Sequence, residues 1–177
     1  MDGNRKKITI KDITLLAVMI CILFVQEQIL SSLPGIQLTI FLMILYSKKF
    51  GLLKSSIIIF IYVLLDNIYM NSFSLIYTPT MLIGWLIIPF TICTIFKKIE
   101  NTFILSLLGI LYAFIYSILY TIPTYIMYHI NPLTYFISDI VFELILAGCS
   151  FISILLLYKP CSKAIEMLMK NFNISNS

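Results

Sequence analysis

The sequence predicts an all-α integral membrane protein of six transmembrane helices with both termini cytoplasmic. Three observations predict it. Of 177 residues, 60% are hydrophobic and only 11% charged, with a mean hydropathy of +1.03, where a soluble domain is about half apolar and a quarter charged. Six apolar runs fill most of the length, so residues 1–177 read as a single membrane domain with no linker, repeat or soluble module. With six crossings, all 12 Lys and Arg fall on one side of the bilayer, the side that the positive-inside rule makes cytoplasmic.

The first span covers about residues 10–30, and Thr9-Ile-Lys-Asp12 before it has the form of a capping box. Its apolar stretch is not expected to be a cleaved signal, because Gln26, Glu27 and Gln28 follow it instead of small residues. Ser31-Ser-Leu-Pro-Gly35 breaks the chain. The second span, about 36–46, is short against the ~20 residues needed to cross hydrocarbon, and Lys48-Lys49 closes it. It is either a crossing or a re-entrant segment. Charge favours the crossing, because a re-entrant segment would turn Lys48 and Lys49 outward.

The third span covers about 51–69 and the fourth about 79–96, with Thr78-Pro79 suited to an N-cap and first helical position. Asn101 can cap the fifth, about 102–127, which carries Pro123 near its end. Asn131-Pro132 opens the sixth, about 132–158. In the tail, 161–172, Ile165, Leu168, Met169 and Phe172 recur at helical spacing between lysines. That is either an amphipathic helix on the inner leaflet or a frayed terminus.

The loops at 31–35, 70–79 and 128–134 hold no Lys or Arg. Asp2, Asp12, Glu100 and Glu166 fall with the lysines and read as solvated charges. Glu27, Asp66, Asp139 and Glu143 fall in the outer half without a basic neighbour in sequence. A carboxylate at membrane depth is expensive and usually faces a polar cavity. Asp139 and Glu143, four residues apart, share a helix face about 10 and 16 Å beyond Pro132. They form either a solute pocket or ion path, or a structural pair bonded within the bundle. Asp66 and Asn67 end the third span as a helix cap or as site residues, and Glu27 reaches either water or the same site. Trp85, beside Gly84, is either an interface anchor or a stacking wall for a flat ligand; Tyr120 and its neighbouring tyrosines gather at the same level.

Carboxylates and aromatic rings without a basic residue favour a cationic or neutral planar solute. No phosphate-binding GxxxxGK[ST], GxSxG or HExxH occurs, so enzymatic activity has no support. His129 is the only histidine, and the four cysteines share no CxxC spacing. Metal, cofactor and nucleic acid are not expected as partners.

Leu33-Pro-Gly-Ile-Gln-Leu-Thr39 leading to Tyr46 and Lys48-Lys-Phe-Gly51, the aromatic stretch around Trp85, and six spans in 177 residues together resemble the substrate-binding S component of an energy-coupling factor (ECF) transporter. The resemblance implies a plasma-membrane protein that captures a vitamin or related small metabolite, such as thiamine or a precursor. It implies Trp85, Tyr120, Asp139 and Glu143 at the binding positions, loop 31–35 as a lid, and a transmembrane T component with two ATPase subunits as partners. The family docks its first span through small residues four apart. Ala17 and Cys21 hold that spacing here, and ordinary packing within the bundle is the alternative. Two other classes remain open: an ion- or proton-coupled secondary transporter using Asp139 and Glu143 as a relay, and a non-transport membrane subunit.

Overall fold

The computed structural model describes residues 9–171. Arg5, Lys6, Lys7 and Asp2, and Phe172 of the tail, lie outside these residues. Five helices follow in order: α1 (Ile10–Leu30), α2 (Thr39–Tyr69), α3 (Tyr77–Thr94), α4 (Thr102–Tyr128) and α5 (Pro132–Asn171). All five are long and apolar enough to cross a membrane. The outward faces are apolar as well: Val18, Phe60, Ile83, Leu111, Ile152 and Leu156 are exposed, as lipid-facing surfaces require.

Helix α2 is broken at Gly51, whose backbone stands at φ 75°, ψ 179°, a region open to glycine alone. The break reverses the chain. Thr39, at the start of α2, accepts from Gln26 Nε2 at 2.9 Å, and Tyr46 donates from its hydroxyl to the Met19 carbonyl at 3.3 Å. Beyond the break Lys54 meets Asp12 at 2.8 Å, and near the end of α2 Asp66 accepts from Gln28 at 2.9 Å. Residues 39–50 therefore run down α1 and residues 52–69 run back up it, as two arms of a hairpin. The first arm is buried all round from Thr39 to Ser47, which is how an apolar helix without a polar face sits in a protein. It is the centre of the bundle.

The contacts define two ends. At the lysine-rich end, Lys48 donates to the carbonyls of Phe96, Lys97 and Ile99 at 2.8, 3.1 and 2.6 Å, completing the free acceptors beyond α3. Lys49 pairs with Glu166. Asp12 is buried, against the expectation of a solvated charge. It is bound by Lys54 and by the capping box, in which Thr9 N donates to Asp12 Oδ2 at 2.9 Å and Asp12 N to Thr9 Oγ1 at 3.3 Å. The opposite end carries Glu27, Asp66 and the turn into α3.

Several boundaries depart from the sequence expectation. Helix α2 starts at Thr39, because Leu38 N is held by Gln26 Oε1 at 2.9 Å. Helix α3 starts at Tyr77, so Thr78 is no N-cap: its hydroxyl accepts from Ser74 N at 3.1 Å and donates to Asn67 Oδ1 at 2.8 Å. Asn101 does cap α4, accepting from Phe103 N at 2.9 Å. The tail is not a separate helix. Helix α5 continues through Pro160 to Asn171, 40 residues, because Ile165 and Met169 are buried against the bundle and Glu166 is held by Lys49. Helices α4 and α5 run antiparallel, with Gly109 against Ser150 and Ile154.

Candidate solute site

The end opposite the lysines is built from three groups of side chains. The first lies between α1 and the start of α2. The Glu27 carboxylate accepts from the Thr39 hydroxyl and from Gln26 Nε2 at 3.3 Å. The Gln37 amide, assigned with its nitrogen toward the carboxylate, donates to both Glu27 oxygens at 2.8 and 2.9 Å. Glu27 is thus held by the residues that turn the chain into α2, and does not simply reach water. Leu30, Pro34 and Gly35 line a hollow of about 210 Å³ beside it. Loop 31–38 folds across to α5: a Cβ on Gly35 would stand 2.9 Å from the Phe142 carbonyl oxygen.

Near the end of α2, Asp66 accepts from Gln28, while Asn67 is buried with its amide committed. Asn67 donates to Val63 O at 2.8 Å, contacts Met81 Sδ at 3.4 Å and accepts from Thr78. These bonds tie α2 to α3.

The second group is aromatic. Trp85 is 2% exposed, which makes it an interior residue and not an interface anchor. Its ring stacks on Tyr116 with centroids 4.0 Å apart and planes at 19°. Tyr116 meets Tyr120 at 4.7 Å, and Tyr120 meets Tyr77 at 5.8 Å. Tyr77 and Thr124 share a 3.0 Å hydrogen bond between hydroxyls. Tyr62, fully buried on α2, faces this row and Glu27.

The third group is on α5. Glu143 is 7% exposed, and Asp139, one turn nearer the helix start, is half-buried. Ser117 of α4 stands beside Glu143, and Tyr135 faces both carboxylates. The i, i+4 spacing in the sequence thus turns both acids toward α4.

Among the described residues, five buried polar atoms make no hydrogen bond: Tyr62 Oη, Trp85 Nε1, Ser117 Oγ, Glu143 Oε2 and Ser150 Oγ. Buried polar atoms are normally partnered, and here Ser117 and Glu143 stand beside each other and Tyr62 stands beside Thr39 and Glu27, so the bundle is polar at this level. Tyr62 and Trp85 border the Tyr116–Tyr120 row, Ser117 follows Tyr116 on α4 and stands beside Glu143, and Ser150 lies against Gly109. The set combines a donor (Trp85), hydroxyls that both donate and accept, and a carboxylate. The two ion pairs among the described residues, Lys49–Glu166 and Lys54–Asp12, are both at the other end. No described lysine pairs with Glu27, Asp66, Asp139 or Glu143.

Sequence reasoning missed Gln26, Gln28, Gln37 and Thr39 as partners of the carboxylates, and Tyr62 and Ser117 as buried polar groups. The Gln26-Glu27-Gln28 triplet and a tyrosine one turn before Asp66 were the available signals. Ala17 and Cys21 are exposed on the outer face of α1, which packs against α2 alone. They do not serve packing within the bundle.

The fold and its apolar perimeter define a multi-pass helical membrane protein. Compared with protein-family models, with characterised proteins and with solved structures, the chain has no match.

Proposed function

We propose that this protein captures a small flat solute, cationic or neutral, from the outer face of the plasma membrane, as the substrate-binding subunit of an ECF-type importer. In this reading the chain crosses six times, each arm of α2 counting once, with both termini cytoplasmic. The solute is a vitamin or related metabolite, thiamine-like in carrying a ring and a positive charge. The observation that carries the reading is Glu143: a buried carboxylate with an unpartnered oxygen, beside Ser117, the residue that follows Tyr116 of the Trp85–Tyr116 stack on α4, at the end without lysines. A cation would meet that charge, and its ring would lie against the aromatic row. Asp139 and Tyr120 extend the same surface, while Glu27 and Asp66 add negative potential from α1 and α2. The T component and two ATPase subunits supply the energy, and the exposed Ala17–Cys21 face of α1 is where the T component docks.

The test is the melting temperature of the purified protein against a panel of vitamins and their precursors, with mass spectrometry of whatever is released on denaturation. A solute-specific rise supports the reading; no rise and no released molecule refute it. Reconstituted vesicles separate it from a proton-coupled transporter relaying through Asp139 and Glu143. A binding subunit alone sustains no accumulation, whereas such a transporter accumulates solute until an uncoupler is added.

A further inference from the structure

At the lysine-rich end, α2 and α3 enclose a pocket of about 360 Å³ lined by Lys48, Lys49, Gly51, Cys93 and Lys97, among others. Lys48 is fixed by three carbonyls, Lys49 is paired with Glu166, and Lys97 is exposed and makes no ion pair among the described residues. Three ammonium groups against one carboxylate leave the pocket positive. Leu52 lines it and also lines a second hollow of about 430 Å³, walled by Ser56, Ile83, Leu86, Ile87 and Phe90. The two hollows meet at Leu52, one lined by lysines and the other apolar, and lie in line along α3; the groove is this pair of hollows. From Cys93 to Ile83 the groove follows α3 for roughly 15 Å, about half of a ~30 Å hydrocarbon core and so the depth of one leaflet.

We infer that this groove holds an anionic phospholipid, with its phosphate hydrogen-bonded by Lys97 and Lys49, Lys48 adding charge but no free donor, and one acyl chain along Ile83, Leu86 and Phe90. Each half selects against another occupant. A soluble anion has no use for the apolar length, and a zwitterionic lipid brings no net charge to the lysines. Basic pockets between helices at the cytoplasmic surface bind anionic head groups in this way. The inference rests on the membrane class alone. The groove opens at the end opposite Glu143, so its occupancy and solute capture are separable.

The full-length protein, placed in nanodiscs of equal phosphatidylglycerol and phosphatidylcholine, is examined by native mass spectrometry for retained lipid. The expected result is phosphatidylglycerol enriched roughly tenfold or more. That enrichment falls toward parity in the double variant Lys49→Gln/Lys97→Gln and is kept in Lys49→Arg/Lys97→Arg. Leu86→Trp, which fills the groove, reduces retention of both lipids. If the glutamine variant does not fold, raising the ionic strength on the native protein must lower the preference. Equal retention of both lipids by the native protein, a preference insensitive to charge and salt, or displacement by glycerol phosphate at matched concentration overturns the inference. So does a co-purifying protein that excludes the lipid.

Discussion

Tyr116 lies on Gly84: a Cβ at Gly84 would stand 2.9 Å from Tyr116 Cδ2 and 3.3 Å from Cε2. The missing side chain is what lets α3 and α4 approach closely enough for Tyr116 to stack on Trp85. Glycine is otherwise a poor choice in a helix, by about 1 kcal/mol against alanine. Gly84→Val is therefore expected to push the Tyr116 ring off Trp85, at an overpacking cost of about 1–3 kcal/mol. Trp85 is the only tryptophan among 11 tyrosines, so tryptophan emission, excited beyond the tyrosine absorption band, reports this one stack. The variant should show an altered emission and, under the proposed function, at least tenfold weaker solute binding. Unchanged emission with unchanged binding would remove the stack from the site.

Glu143→Gln separates charge from shape. The native carboxylate is buried with Asp139 on the same helix face and one oxygen unpartnered, and an uncompensated buried charge is costly. Without solute, the glutamine variant should melt at the same temperature or higher. With a cationic solute it loses a charge-assisted contact, so affinity should fall at least tenfold, about 1.4 kcal/mol or more. Scanning fluorimetry with and without the solute reads both effects. A variant that loses stability yet keeps the solute-dependent shift would make Glu143 a packing element.

What was legible in the sequence was local or summed over the whole chain. The Thr9–Asp12 capping box and the Asn101 cap each involve residues two or three apart. The pairing of Asp139 with Glu143 follows from one helical turn, and the gathering of lysines at one end from a simple count. What was not legible joins distant segments. Thr78 loses its expected capping role because its hydroxyl is drawn to Asn67, 11 residues earlier. Helix α5 runs through Pro160 because Ile165, Met169 and Glu166 find partners on the bundle. The burial of Trp85 was hidden for a different reason. In lipid the inward and outward faces of α3 are both apolar, so no amphipathic stripe identifies the buried side.

The Asp12–Lys54 contact ties the start of α1 to the second arm of α2, with both side chains 11% exposed. Lys54→Ala leaves Asp12 buried with only its capping bonds, and a cost of about 1–3 kcal/mol is expected. Asp12→Ala removes the ion pair and the capping box together, so it should cost more, by about 1 kcal/mol. In a double-mutant cycle read by thermal unfolding, the two losses should overlap by about 0.5–3 kcal/mol. Strict additivity would mean that the pair contributes nothing across the helices.

Gly51 makes α2 a hairpin, and the hairpin decides how often the chain crosses. At φ 75°, ψ 179°, alanine would cost about 1–3 kcal/mol in backbone strain. Gly51→Ala should thus destabilise the protein by that amount without removing a single side-chain contact. The reversal also makes a topological prediction, tested in a variant without its four native cysteines. Lys49→Cys and Lys98→Cys should react with a membrane-impermeant thiol reagent only from the cytoplasmic side, and Ser31→Cys and Ser72→Cys only from outside. If residues 39–50 entered and left by the same face, Lys49→Cys would instead label with Ser31→Cys. Twelve residues of helix span only about 18 Å, so under the proposed six-crossing topology the first arm would cross as a helix enclosed by its neighbours, without lipid-facing length. Its all-round burial from Thr39 to Ser47 is what makes so short a crossing physically reasonable.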